Sequence, residues 1–132
     1  AINKVKKRLG INADKVKWII SDITKFIPTE KYNIWHDRAV FHFLTQEKDI
    51  EYYKILVNKN ISDNGYFILA TFADDGPEKC SGLEVCKYSE KDMENSFSAG
   101  FKMKESFKYK HLTPFETIQN FIFSVFRKQR VK

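Results

Sequence analysis

Two polar clusters stand where apolar runs end. Asp22 follows Val16-Lys17-Trp18-Ile19-Ile20-Ser21, and His36-Asp37-Arg38 follows Tyr32-Asn33-Ile34-Trp35. If both runs are strands of an open parallel sheet, these residues lie at carboxyl ends, where such sheets bind ligands. An ionised Asp22 only accepts hydrogen bonds, so it suits an amino group on a ligand; it suits equally a turn carboxylate capping its own loop. Asp37 and Arg38 would position a polar ligand tail or a substrate, or else form a local ion pair with His36 as a turn residue. Other chemistry lacks its motifs. There is no GxGxxG or GxxxxGK[ST], hence no glycine loop to cradle phosphate. CxxC and HExxH are missing, His36 and His42 are six apart, and His111 is remote, so no zinc spacing exists and no metal is expected. No GxSxG elbow occurs, and Cys80 and Cys86 have no histidine close in sequence to activate them.

The elements that must hold these residues follow from periodicity and punctuation. Residues 1–9 repeat Ile2, Val5 and Leu9 on one face with lysines opposite, which predicts a helix stopped at Gly10. Residues 16–20 and 32–35 read as short strands. Residues 46–58 are the clearest helix, with Ile50, Tyr53, Leu56 and Val57 along one side and Thr45 as its candidate cap. Asp63-Asn64-Gly65 signals a turn before Tyr66–Phe72, an apolar strand expected to be covered on both faces. Residues 73–85 read as loop, and Ser89 with Asp92 three residues on starts a short helix that Gly100 closes. Phe101, Met103, Phe107 and Tyr109 alternate with lysines, a half-exposed strand that Glu105 interrupts at a bulge. Residues 120–127 form the last strand. Short strands separated by crossovers predict a parallel sheet, and the closing two an antiparallel addition. One connection is awkward. Nine residues between Asp22 and Tyr32 carry no helix pattern, yet extended they reach about 30 Å, enough to cross a gap of two strands.

Composition bounds the rest. With 132 residues, 42% apolar and 15% aromatic, the chain fits one folded domain. Two cysteines cannot build a disulfide scaffold, and free thiols point to a reducing, cytoplasmic compartment. The apolar runs are too short for a membrane span, and the first residues hold no signal-peptide core. The net charge of +6 is spread along the chain, densest at Lys4-Lys6-Lys7-Arg8 and Arg127-Lys128-Arg130-Lys132, and reads first as a solubilising surface.

Residues 16–23 and 32–44, the latter containing His36-Asp37-Arg38-Ala39-Val40-Phe41-His42-Phe43-Leu44, resemble class I S-adenosylmethionine-dependent methyltransferases. Within them the likeness is to the small-molecule branch of thiopurine- and tellurite-resistance-type enzymes. Asn64–Phe72 resembles that family's fifth strand with its turn, and Phe101–Lys128 its terminal antiparallel pair, closing on Phe126-Arg127-Lys128. The resemblance implies an α/β fold with a Rossmann-like methyltransferase sheet, family order 3-2-1-4-5-7-6, in which strands 1 and 2 are absent. On that mapping residues 1–132 are a single domain, the C-terminal two-thirds of a methyltransferase domain, truncated at its N-terminus. The glycine-rich loop and the ribose-binding acid would belong to the absent strands.

The same mapping implies residue roles. Asp22 would meet the adenine amino group, and Ile23 the adenine ring. His36 and Asp37 would lie beside the methionine part of the cofactor. Arg38 would support the loop or face the substrate, which makes His36, Asp37 and Arg38 the catalytic candidates. Ala39, Phe41 and Phe43 would shape the pocket or pack the next helix, with Thr71 and Phe72 toward the acceptor. The implied cofactor is S-adenosylmethionine, and the implied partner a small-molecule methyl acceptor. A missing N-terminal segment or another copy would complete the sheet, and the isolated chain is expected to be impaired. Two other readings compete. One is a non-catalytic remnant or interaction domain with this sheet. The other is a nucleic-acid module built on the alternating lysines and aromatics of residues 102–110.

Overall fold

The computed structural model describes residues 2–130. Ala1 and Lys132, read above into the opening helix and the closing basic cluster, lie outside them. Helix α1 (Ile2–Leu9) ends at Gly10, whose φ of 57° is the left-handed stop expected there, and a 3-10 turn continues over Gly10–Lys15. The next expectation fails: residues 16–20 form no strand. Val16 is extended (φ −113°, ψ 130°), but Ile20 is 89% exposed and the Trp18 indole turns back to the Ala13 carbonyl at 3.1 Å. β-branched residues favour a strand only when a neighbour accepts the ladder. Among the described residues none lies beside this segment.

The main sheet starts with β1 (Tyr32–Arg38), so His36-Asp37-Arg38 are its last three residues rather than the loop beyond it. A 3-10 turn (Phe41–Phe43) and α2 (Glu47–Asn60) lead into β2 (Ile61–Phe72). The hairpin of β3 (Lys79–Cys80) and β4 (Leu83–Glu84) interrupts the expected 73–85 loop, before α3 (Glu90–Ser96), β5 (Phe101–Leu112) and β6 (Ile118–Lys128). The order is β1-β2-β6-β5, with β1 and β2 parallel and the other neighbours antiparallel. The expected run of parallel strands therefore reduces to one pair. The antiparallel addition is present, with β6 seated between β2 and β5. No helix among the described residues is long and apolar enough to cross a membrane.

Local chemistry explains the boundaries. Ser89 and Asp92 form a complete capping box: Asp92 N–H donates to Ser89 Oγ (3.1 Å), and Ser89 N–H to Asp92 Oδ2 (3.0 Å). Thr45 does not cap α2; Gln46 occupies that position without a side-chain bond. The Asp63-Asn64-Gly65 turn signal falls inside β2, where Asn64 has φ 64°. There the β1–β2 register shifts, and a Cβ on Gly65 would lie 2.8 Å from the Asn33 carbonyl oxygen. The signal marks a close strand approach, not a break. The β5 register also shifts between Met103 and Glu105, the bulge expected at Glu105.

Helices α2 and α3 cover one face of the sheet. Tyr53, Val57, Met93 and Phe97 bury Phe67, Leu69, Phe101 and Phe126 in one cluster, where the Phe67 ring lies 5.1 Å from Phe97 and 5.7 Å from Phe126. On the other face, among the described residues, only Ala70, Phe72 and Phe121 form a buried apolar cluster, beneath Cys80 and Val85. Tyr66 (39%), Phe107 (46%) and Tyr109 (48%) stay exposed there. The apolar run in β2 is thus covered on both faces only at its carboxyl end, because both helices pack on the same side.

Candidate functional site

The carboxyl end of β1 is locked from inside. Asp37 is buried, and its Oδ1 accepts from Val40 N–H (2.9 Å). Its Oδ2 accepts from Phe41 N–H (3.1 Å) and from the Tyr53 hydroxyl (2.5 Å). One carboxylate therefore caps the 3-10 turn after β1 and ties it to α2. Between these bonds Ala39 sits at φ 68°, a left-handed conformation uncommon for alanine, and its N–H donates to the Ala70 carbonyl (2.9 Å). Burial pushes the Asp37 carboxyl above the ordinary aspartate range, against the opposite pull of the Tyr53, Val40 and Phe41 bonds. Burial, with the Asp37 charge adding to it, raises the Tyr53 hydroxyl well above its usual value.

Around this lock lies a cavity of about 380 Å³, lined by Ile23, Trp35, His36, Asp37, Arg38, Val40 and Tyr53. It brings Ile23 together with His36-Asp37-Arg38 from across the thirteen-residue separation in sequence. Asp22, next to Ile23, is not part of that lining. It is fully exposed, and its Oδ1 accepts from Thr24 N–H (2.9 Å) and Thr24 Oγ1 (2.7 Å). These bonds, the hydroxyl first, hold its carboxyl below the ordinary range, so it is ionised at neutral pH. His36 is exposed at the rim. Arg38 reaches along the sheet surface, its guanidinium 5.2 Å from the Phe121 ring centroid and 6.0 Å from Phe123.

Other pocket candidates divide. Phe41 is fully buried core, stacked at 5.3 Å on Tyr88, while Phe43 is half-buried against the His42 imidazole. Thr71 and Phe72 are buried. His42 is fully buried too: Nδ1 accepts from Phe72 N–H (3.1 Å), and Nε2 has no partner among the described residues. Burial lowers its imidazole to about 4, so it is neutral. Trp35, Val40 and Tyr53 line the cavity although sequence patterning gave them no site role. Their signal, an apolar edge strand and a helix face, is the signal of ordinary packing.

The fold of this chain recurs in solved structures. The fold is methyltransferase-like. The chain superposes on the N-methyltransferase NodS from Bradyrhizobium japonicum WM9, solved with S-adenosyl-L-homocysteine, with TM-score 0.70 and 13% identity over 98% of this chain and 62% of that one. It superposes on the Burkholderia thailandensis 1,6-didemethyltoxoflavin-N1-methyltransferase with TM-score 0.72 and 14% identity, over 97% of this chain and 56% of that one. For TehB from Haemophilus influenzae the values are 0.69 and 14%, over 96% and 45%. The chain thus spans between 45% and 62% of the length of these three proteins. No protein-family model matches it, and neither does any curated protein.

Proposed function

We propose that the protein of which these residues form part transfers a methyl group from S-adenosylmethionine to a small-molecule acceptor, at the carboxyl end of β1. One observation carries the reading: in a methyltransferase-like fold, Ile23 and His36-Asp37-Arg38 line one cavity beside the parallel strand pair. The residues present fit the adenine side of the cofactor. Ile23 and Trp35 offer apolar walls, and the ionised Asp22, adjacent to Ile23, takes both Thr24 bonds on Oδ1 and so keeps Oδ2 to accept from an amino group. S-adenosylmethionine, when bound, supplies a methyl group activated on a sulfonium.

This chain's own residues would orient the reactants and exclude water, effects that lower the barrier of such a displacement without a covalent enzyme intermediate. Asp37 acts as a positioning residue, because its carboxylate is bonded to Val40, Phe41 and Tyr53. Arg38 is held over two phenylalanines. Among the titratable side chains lining the cavity, His36 is left to take a proton from an acceptor that must lose one. We further propose that another segment or a second copy pairs with the free side of β1 to complete the site. The isolated 132-residue chain would then bind cofactor weakly.

Titration with S-adenosylhomocysteine, followed residue by residue by NMR, tests both parts. Millimolar ligand is expected to shift Ile23, Trp35, His36 and Val40, and an unmoved cavity overturns the site. A dissociation constant near 1 μM, about −8 kcal/mol, overturns the need for a completing segment instead.

A further inference from the structure

The rim opposite the cavity gathers positive charge. Residues 101–130 hold seven Lys or Arg and two Glu, against a whole-chain excess of +6. Folding concentrates that excess further. A groove of about 570 Å³ runs across the amino end of β2, the first residues of β5 and the end of β6, lined by Asn64, Lys102, Lys104, Arg127, Gln129 and Arg130. Lys128 also borders it, but its amine turns inward to donate to the Asn58 carbonyl at the end of α2. Among the described residues no acidic side chain lines the groove. The acid felt by Lys128 is Asp63, which Lys31 offsets. Glu105 lies beyond the bulge, opposite Val125.

Three features mark the groove as unfinished. Lys102 stands directly opposite Arg127, a like-charge cross-strand pair that weakens a sheet. Among the described residues none of Lys102, Lys104, Arg127 and Arg130 makes an ion pair, whereas Lys108 on the same strand is paired with Asp74 and Asp75. Arg127 Nε is likewise buried without a partner among the described residues. An anion in the groove would relieve all three. Beside the cations lies the exposed Tyr66 ring, backed by the Arg127 guanidinium at 5.4 Å. A concave strip of cations does not match a flat bilayer, but it follows a phosphodiester backbone, and an aromatic face next to it accepts an unstacked base. We infer that this groove binds single-stranded nucleic acid, with Lys102, Lys104, Arg127 and Arg130 on phosphates and Tyr66 against a base. The inference is independent of the methyl-transfer reading, since it uses the other rim of the sheet.

Fluorescence anisotropy with a labelled 12-nucleotide uridine oligomer tests it on the 132-residue chain. Four phosphate contacts predict a slope of log K against log salt of about −3. The double variant Lys104→Glu, Arg130→Glu changes exposed residues only, and should cut affinity at least tenfold and flatten the slope. Lys4→Glu, Lys7→Glu on α1 removes as much charge elsewhere and should change affinity several-fold less. Circular dichroism confirms that each variant is folded. No binding at low salt overturns the inference, as does equal sensitivity to both variants. Binding to phosphatidylserine vesicles but not to the oligomer, lost in the groove variant, assigns the groove to a membrane and likewise overturns it.

Discussion

Asp37 and His42 are five residues apart, both buried, and they bias stability in opposite directions with pH. The folded Asp37 carboxyl titrates above its ordinary 3.8, so its contribution is fully present below 3.8 and lost as pH rises through the folded value. The His42 imidazole falls from 6.5 to about 4, so its contribution is present above 6.5 and lost as pH falls toward 4. Denaturant unfolding between pH 4 and 7 should show the His42→Gln variant losing the rise in stability that the unmodified chain shows from His42 across that interval. A profile that superimposes on the unmodified one would mean that His42 is solvated. Asp37→Ala leaves a buried amide, a part-buried amide and a buried hydroxyl unpartnered, and should lower stability by on the order of 3 kcal/mol. Asp37→Asn, which keeps one acceptor, should lose less. Unfolding midpoints that do not move with either substitution would contradict the lock.

At the scale of elements, the features legible in the sequence are those decided within a few residues. The Ser89–Asp92 capping box, the Gly10 stop and the bulge beside Glu105 are local bargains between neighbouring groups, and the chain makes all three. Ser89→Ala should cost about 1 kcal/mol, read as a lower melting point. The failures are those decided by a distant partner. Val16–Ile20 has strand residues but no adjacent strand, and Asp63-Asn64-Gly65 has turn residues but sits against β1. The candidate site divides the same way. Its position at the end of β1 was readable, whereas the inward turn of Asp37 depends on Tyr53, sixteen residues on. Gly65→Ala places a methyl group against the Asn33 carbonyl and should loosen β1 from β2. The expected readout is faster amide exchange in β1 with β5 and β6 unaffected. Equal change in all strands would show instead a loss of global stability.

The whole molecule is asymmetric about its sheet. One face carries a continuous aromatic core under α2 and α3, and the other exposes Ile34, Tyr66, Phe107 and Tyr109. Ile34 and Tyr66 adjoin across β1 and β2, and Phe107 and Tyr109 flank Phe123 on the β5–β6 side, two apolar patches of the kind that partners cover. An apolar dye should fluoresce with the folded chain, with intensity falling after Phe107→Ser, a half-exposed change that leaves the core intact. A folded chain that leaves the dye dark would show the face to be covered. Charge is asymmetric as well, with the cations of the β5–β6 end on the rim remote from His36.

One side of β1 has no ladder among the described residues. In a parallel ladder, alternate residues direct both their backbone groups to the same neighbour. Ala39 donates to Ala70, so by alternation Asp37 and Trp35 also face β2, while the amides of Ile34, His36 and Arg38 point outward. Deuterium uptake along this strand should therefore be toothed, with every second proton lost to solvent early. A binder that docks by extending the sheet would erase the teeth, while one that enters only the cavity would leave them.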